Sequence, residues 1–301
     1  MGGISRDMSG NKAKTIRRLL SDSLWPLIRL GIPLPRPVFD LGAFWCYNDV
    51  LGRRLWFGQA PESVGRSFLY SYMDPGMVFV DLGANQGLYT ILAARRCGET
   101  GRVVAVEPCR VQRQRLRLNL ICNGMWRVRV RGEAVGSSKG LGTLHVVQGP
   151  ETGGNSLRPP APDIAERWRL ETVSIITLDD LCEEEKISGE VDFIKIDVEG
   201  GELDVLRGAK RSLAFAKRPL IYCEICDRRT RPWGYSAREI VLDLLGRDFS
   251  WWEVATGTIR QHVIQNEYPG DNLLAVPRER EDAFVARMNS LGWRVIGPPD
   301  R

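Results

Sequence analysis

Three short stretches of the chain carry residues whose types and spacing could do chemistry. In the first, Val78-Phe79-Val80-Asp81-Leu82-Gly83-Ala84-Asn85-Gln86-Gly87, an apolar β-type run ends on a carboxylate and passes into a glycine turn ahead of a helical stretch. Glycine at 83 and 87 permits tight backbone geometry and close approach of a ligand, and the amides that open the helix at Gly87–Tyr89 can receive an anionic group. In the second, Arg102-Val103-Val104-Ala105-Val106-Glu107, a strand again ends on an acidic side chain. A carboxylate at the tip of the second strand can accept both hydrogen bonds of a ribose diol; the plainer alternative is that Glu107 caps the helix after Pro108. A dinucleotide turn would place a glycine where Asn85 stands, so that a pyrophosphate can approach the backbone. With asparagine there and Gly87 two residues later, the expected ligand is a nucleoside without a pyrophosphate, held by Asp81, Gly83, Asn85, Gln86, Gly87 and Glu107.

The third stretch, Val191-Asp192-Phe193-Ile194-Lys195-Ile196-Asp197-Val198-Glu199-Gly200-Gly201-Glu202, is a strand that ends in carboxylates. In open parallel sheets the ligand crevice lies beyond the carboxyl ends of the strands, where Asp81, Glu107, Asp197 and Glu224 would emerge. Asp197, Glu199 and Glu224 are therefore the expected catalytic residues, as a general base, as a divalent-cation site or as holders of acceptor hydroxyls. For Glu199, capping the helix after Gly200 stays open. His145 and His262 are the chain's two histidines, which excludes a histidine-rich metal centre; His262 is either a base or an ordinary surface residue. Seven cysteines in a chain of this size favour reduced thiols. Cys223 and Cys226 have CxxC spacing but lie in an apolar run that reads as a buried strand, and no second CxxC completes a zinc site.

Elements that alternate along the chain must position these groups. Strands are expected at Met77–Asp81, Arg102–Glu107, Arg127–Glu133, Gly142–Val147, Val173–Leu178, Val191–Asp197 and Leu220–Ile225, with two more near Trp251–Val254 and Asn272–Pro277. Helices are expected at Leu88–Arg96, Val111–Cys122, Asp179–Glu185, Glu202–Leu213 and Ala237–Leu245. Such alternation specifies a parallel sheet with helices on its faces. Arg127, Arg129 and Arg131 alternate with Val128 and Val130, which suits an edge strand; with Arg110, Arg113, Arg115 and Arg117 they either stay solvated or form a basic patch. Residues 148–163 form a long glycine- and proline-rich loop, in which Asn155 and Ser156 are either acceptor-site hydrogen bonders or plain turn residues.

The pairing of Val80-Asp81-Leu82-Gly83-Ala84-Asn85-Gln86-Gly87 with Phe193-Ile194-Lys195-Ile196-Asp197-Val198-Glu199-Gly200-Gly201-Glu202 resembles the FkbM family of methyltransferases. Ala134-Val135-Gly136, Asn155-Ser156 and Thr177-Leu178-Asp179-Asp180-Leu181 stand in the matching order, and the likeness runs from about Met77 to Pro277. The resemblance implies a class I methyltransferase fold, a mostly parallel, Rossmann-like seven-stranded sheet with helices on both faces. It also implies S-adenosylmethionine as cofactor and methyl transfer to a hydroxyl of a sugar, glycan, glycolipid or natural-product acceptor; a divalent metal is compatible with it but not required. Two other readings stay open, a non-catalytic binding protein on the same fold and a nucleic-acid methyltransferase that uses the arginines between 110 and 131.

A length of 301 residues allows one large domain plus an appendage. The expected division is an N-terminal, mainly helical extension at 1–76, a methyltransferase domain at 77–280 and a C-terminal tail at 281–301 packed on or near the core. A content of 43% hydrophobic and 26% charged residues supports a buried core, and a net charge of +5 makes no case for nucleic acid without a localised basic surface. Lys12, Lys14, Arg17 and Arg18 precede an apolar stretch broken by Asp22, Pro26 and Arg29; this reads as a basic amphipathic helix on the domain, or as a membrane-surface anchor, and not as a spanning or targeting segment. A cytoplasmic location is expected on these grounds.

Overall fold

The computed structural model describes residues 33–38, 41–47, 49–58, 61–149, 153–163 and 166–297. The chain divides into two compact units, residues 1–61 and 62–301. The basic segment from Lys12 to Ile28 lies outside the described residues. In the first unit, β1 (Arg36–Val38) pairs antiparallel with β2 (Ala43–Trp45), and a helix at Val50–Trp56 is capped by Asp49, whose side chain accepts from the Gly52 amide. The described part of the extension expected at 1–76 thus contains a hairpin and two helices, Val50–Trp56 and Ser63–Tyr72.

The second unit is built on one large sheet. Its strands are β3 (Val78–Leu82), β4 (Arg102–Val106), β5 (Arg129–Arg131), β9 (Phe193–Ile196), β10 (Leu220–Ile225), β11 (Phe249–Ala255), β12 (Thr258–Gln261), β13 (Asp271–Pro277) and β14 (Arg294–Ile296). Their spatial order is β14-β12-β11-β13-β10-β9-β3-β4-β5. The pairs from β10 through β9, β3 and β4 to β5 are parallel, whereas β13 runs antiparallel to both β10 and β11. A small second sheet, β6-β8-β7, joins β6 (Ala134–Val135), β8 (Trp168–Ile176) and β7 (Gly140–Val147).

This is an α/β fold with a mixed sheet, and it corrects the expected count of seven strands to nine. The two additions have a local cause. After β11 the chain reverses at Gly257, whose φ of 65° a glycine adopts without penalty, and β12 returns beside β11; β14 then adds parallel to β12. β8 starts at Trp168, five residues before the expected start, because its polar-alternating first half pairs residue for residue with β7. The helix expected over Glu202–Leu213 stops at Arg207.

The sheet is covered on both faces, which is why β3, β9 and most of β10 are buried throughout. On one face Val78, Val80, Leu82, Ile194 and Ile196 pack with Leu181, Leu203, Leu206, Ile240 and Leu244 from the helices at Leu178–Glu184, Glu202–Arg207 and Ala237–Gly246. On the other, Phe193 stacks on Phe79 and meets the aromatic side of helix Ser63–Tyr72, with ring centroids of Phe68 and Tyr72 6.2 and 5.8 Å away. Two covered faces leave the strand ends as the place where polar side chains can converge. Among the described residues no helix is long and apolar enough to cross a membrane.

Candidate active site

Beyond the carboxyl end of β3 the chain makes a tight turn into helix Leu88–Cys97. Gly83 has φ of 83°, and a Cβ there would collide with the Asp197 carbonyl oxygen, so only glycine lets the β3 and β9 loops meet. Gly83 and Ala84 both donate their amides to the Val106 carbonyl, which ties the turn to β4. Asn85 sits at φ of 48°, a left-handed conformation asparagine tolerates, and its amide donates to Glu107 Oε2 at 2.8 Å. Gly87 opens the helix with no side-chain cap, and the Gln86 carbonyl is held by Asn119 Nδ2 at 3.0 Å.

Two carboxylates flank this turn. Asp81 is buried in β3; its Oδ2 accepts from Thr90 Oγ1 at 2.5 Å, while its Oδ1 is buried without a hydrogen-bond partner. Burial raises its pKa to about 6 against the opposing pull of Lys195. Glu107 is buried at the tip of β4, accepting from the amides of Asn85 and Cys109 at 2.8 Å each; burial raises its pKa to about 7. The Cys109 amide belongs to the N-cap residue of helix Arg110–Cys122, which has no side-chain cap, so Glu107 ties the helix start to the glycine turn without capping the helix.

A second group of acids stands beyond β9 and β10. Asp197 Oδ2 accepts from Lys195 Nζ at 2.6 Å. Glu199, at φ of 59°, accepts from the Gly154 amide at 2.8 Å and is ion-paired with Arg229 Nε at 2.8 Å; burial, and next the charge of Asp197, raise its pKa to about 7. Glu224, near the end of β10, has Oε2 buried without a partner, and burial followed by the charges of Asp197, Glu199 and Glu202 pushes its pKa well above the carboxylate range. Its register partner on β13, Asn272, also has a buried unpartnered Oδ1.

The structure brings these acids together and separates some neighbours from them. Glu199 does not cap the helix after Gly200; Glu202 folds that loop, accepting from the Val198 and Gly200 amides at 3.0 and 3.1 Å. Ser156 reaches the loop, its hydroxyl donating to the Glu199 carbonyl at 2.7 Å, whereas the Asn155 side chain turns back to the Val147 amide. His262 is neither surface nor site: its ring bridges Glu253 and Tyr268 at 2.8 and 3.0 Å with a nearly buried side chain. Cys223 and Cys226 are buried free thiols. The arginine strand β5 is the sheet edge, as its sequence suggests, but Arg131 is neutralised by Glu133, Glu184 and Glu185, and Arg113 turns inward to the carbonyls of Glu107 and Pro108. Lys195 and Glu202 escape a reading of motifs: one lies mid-strand in an apolar run, the other reads as a first-turn helix residue. Among the described residues no group of three or more His, Cys, Asp or Glu side chains is arranged to hold a metal ion.

Residues 81–261, which hold the glycine cradle, the strand-tip carboxylate and the acid cluster, match the family model of the methyltransferase FkbM domain. The chain belongs to the FkbM methyltransferase family. S-adenosylmethionine-dependent methyl transfer is the chemistry of that family. Solved structures similar to this FkbM chain include methyltransferase FkbM from Methylobacillus flagellatus KT, 19% identical, with 74% of this chain and 52% of that one covered and a TM-score of 0.38. Fibrillarin from Aeropyrum pernix is 13% identical over 70% of this chain and 73% of that one, TM-score 0.39. An S-adenosylmethionine-dependent O-methyltransferase from Thermotoga maritima is 13% identical over 72% and 64%, TM-score 0.37. This chain thus spans about half the length of the Methylobacillus protein. No curated protein matches.

The residues present in this FkbM chain fit S-adenosylmethionine. Each Glu107 oxygen uses one lone pair on a backbone amide and keeps another for a hydroxyl. The uncapped start of helix Leu88–Cys97 suits a carboxylate, and the free Oδ1 of buried Asp81 suits an ammonium.

Proposed function

We propose that the protein methylates a hydroxyl oxygen of a sugar, glycan, glycolipid or natural-product acceptor, with Glu107 on the ribose diol of S-adenosylmethionine, the turn residues Gly83, Asn85, Gln86 and Gly87 around its nucleoside and amino-acid parts, and Asp81 on its ammonium. The observation that carries this reading is Glu224, a buried carboxyl with an unpartnered oxygen, grouped with Asp197 and Glu199 beyond the strand ends. When bound, the cofactor supplies an electrophilic methyl on a sulfonium, so the protein must align an oxygen along the carbon–sulfur axis and remove its proton.

The three acids divide this work. Asp197 is ion-paired to Lys195, which makes it a fixed acceptor suited to orienting a hydroxyl. Glu199 is spent on Gly154 and Arg229 and shapes the wall of the site. Glu224 has a free oxygen and a raised proton affinity, which suits the general base.

Calorimetric titration with S-adenosylmethionine and S-adenosylhomocysteine, followed by transfer of labelled methyl to a panel of glycosides and polyhydroxylated natural products, tests the proposal. Saturable cofactor binding and label on oxygen are expected. Binding with no transfer to any hydroxyl in the panel or in cell extract would favour a non-catalytic scaffold; label on nucleic acid instead would overturn the acceptor class.

A further inference from the structure

Lys195 is 3% exposed in the middle of β9, where its register neighbours are Asp81 on β3 and Tyr222 on β10. Residues in register on parallel strands point to the same face, so Asp81, Lys195 and Tyr222 stand in one row. The Lys195 ammonium donates to Asp197 Oδ2 at 2.6 Å and lies 4.7 Å from the centroid of the Tyr89 ring. The hydroxyls of Tyr89 and Tyr222 both converge on Gly65 of helix Ser63–Tyr72, where a side chain would strike them, so the row is sealed from that side. A buried ammonium costs several kcal/mol unless opposite charge surrounds it. Burial here pulls the Lys195 pKa down, and Asp197, Glu62 and Asp81 more than offset it. One cation therefore stands between two carboxylates, hydrogen-bonded to Asp197 and beside Asp81 in register on the neighbouring strand.

Asp81 needs that cation to be useful. Fully buried, with Thr90 on Oδ2 and nothing on Oδ1, it would hold its proton without a neighbouring positive charge, and a neutral carboxyl is a poor partner for an ammonium. We propose that Lys195 is a positioning residue for the amino-acid end of the cofactor, shared between Asp197 and Asp81 so that the free Asp81 oxygen stays an ionised acceptor for the cofactor's ammonium. This rests on the cofactor reading above. Lys195 touches neither the ribose nor the base in this arrangement, so its effect is confined to ligands that carry the amino acid.

The test compares S-adenosylhomocysteine with 5′-methylthioadenosine, which keeps the nucleoside and sulfur but lacks the amino acid, by calorimetry on wild type and Lys195→Met. The expected result is a tenfold or greater loss of S-adenosylhomocysteine affinity with less than twofold change for methylthioadenosine. The pH below which S-adenosylhomocysteine binding weakens should also move upward in the variant. The groups facing Asp81 in that equilibrium are Lys195, Thr90, Asp197, Glu62 and Glu107, with Tyr89 and Tyr222 beside the Lys195 ammonium. Equal losses for the two ligands, or an unmoved pH midpoint, would overturn the proposal while leaving the cofactor reading intact. Failure of wild type to bind S-adenosylhomocysteine would instead remove the reading beneath it. Should Lys195→Met not fold, ¹⁵N-lysine-labelled wild type decides the matter: the Lys195 Nζ signal shifts with S-adenosylhomocysteine and not with methylthioadenosine, and an unshifted signal counts against the role.

Discussion

Glu107 shows how one side chain can join a helix start to a glycine turn without capping the helix. It binds the amide of Cys109 beside the following helix and the amide of Asn85 in the turn, and still has two lone pairs to offer. Replacing it by glutamine removes the charge and swaps one acceptor for a donor that faces a backbone N–H. Hydrogen bonds to charged groups contribute about 1.5–3 kcal/mol, so Glu107→Gln should weaken S-adenosylhomocysteine by roughly 10- to 100-fold in calorimetry; unchanged affinity would move the ribose elsewhere. In the acid cluster, Glu224→Gln should lower kcat by about 10²-fold or more, the usual weight of a general base, with cofactor affinity retained. Wild-type turnover should fall as pH drops, because a base with a raised pKa is protonated first. The strand-tip acids were legible in the sequence because an apolar run ending in a carboxylate is a pattern. Lys195 was not, since a lysine within Phe193–Ile196 is visible as buried only once Asp81 and Tyr222 are known to stand beside it.

Elements matter here through the few places where two backbones touch. Gly83→Ala would drive a methyl into the Asp197 carbonyl and hold an L-residue at φ of 83°, so the β3 and β9 loops must part. A loss on the order of 3 kcal/mol, overpacking plus backbone strain, should appear in urea unfolding, together with weakened cofactor binding. A variant as stable as wild type would show that the two loops can separate freely. A contrasting control is Ser236→Ala in the capping box of helix Ala237–Gly246, where about 1 kcal/mol of stability should go with no change in cofactor affinity. The sequence foretold the helix and strand order because β3, β4, β9 and β10 are apolar runs with glycine or acidic punctuation. It did not foretell β12 and β14, since Thr258-Ile259-Arg260-Gln261 and Arg294-Val295-Ile296 are too short and polar to announce themselves; pairing partners, not propensity, make them strands. Glu202 is hidden for a related reason, as its work depends on the loop curling back over its own helix.

At the scale of the molecule the site sets a stability profile. Asp81, with pKa raised to about 6, and Glu107, Glu199 and Glu202, raised to about 7, all owe the shift first to burial. The folded chain therefore keeps protons that the unfolded chain has released at its ordinary carboxylate pKa values, and by linkage stability falls as pH rises from about 4.5 to about 7. Glu133 and Glu279 act in the opposite sense: Arg131 and Arg218 hold their pKa values down, so their contribution is present above the ordinary range and lost as pH falls below it. The two sets together place the maximum at about pH 4.5, where the windows they govern meet. Tm of the ligand-free protein should fall by on the order of 5 °C between pH 5 and pH 7.5. S-adenosylhomocysteine at 100 times Kd should restore about 2.7 kcal/mol at the upper pH, because its hydroxyls and ammonium meet the carboxylates that burial leaves poorly served. Differential scanning calorimetry at both pH values, with and without ligand, checks this. A ligand-free Tm that stays level or rises across that interval would mean that water reaches these acids, and that the crevice between the turn and the acid cluster stands open without its cofactor.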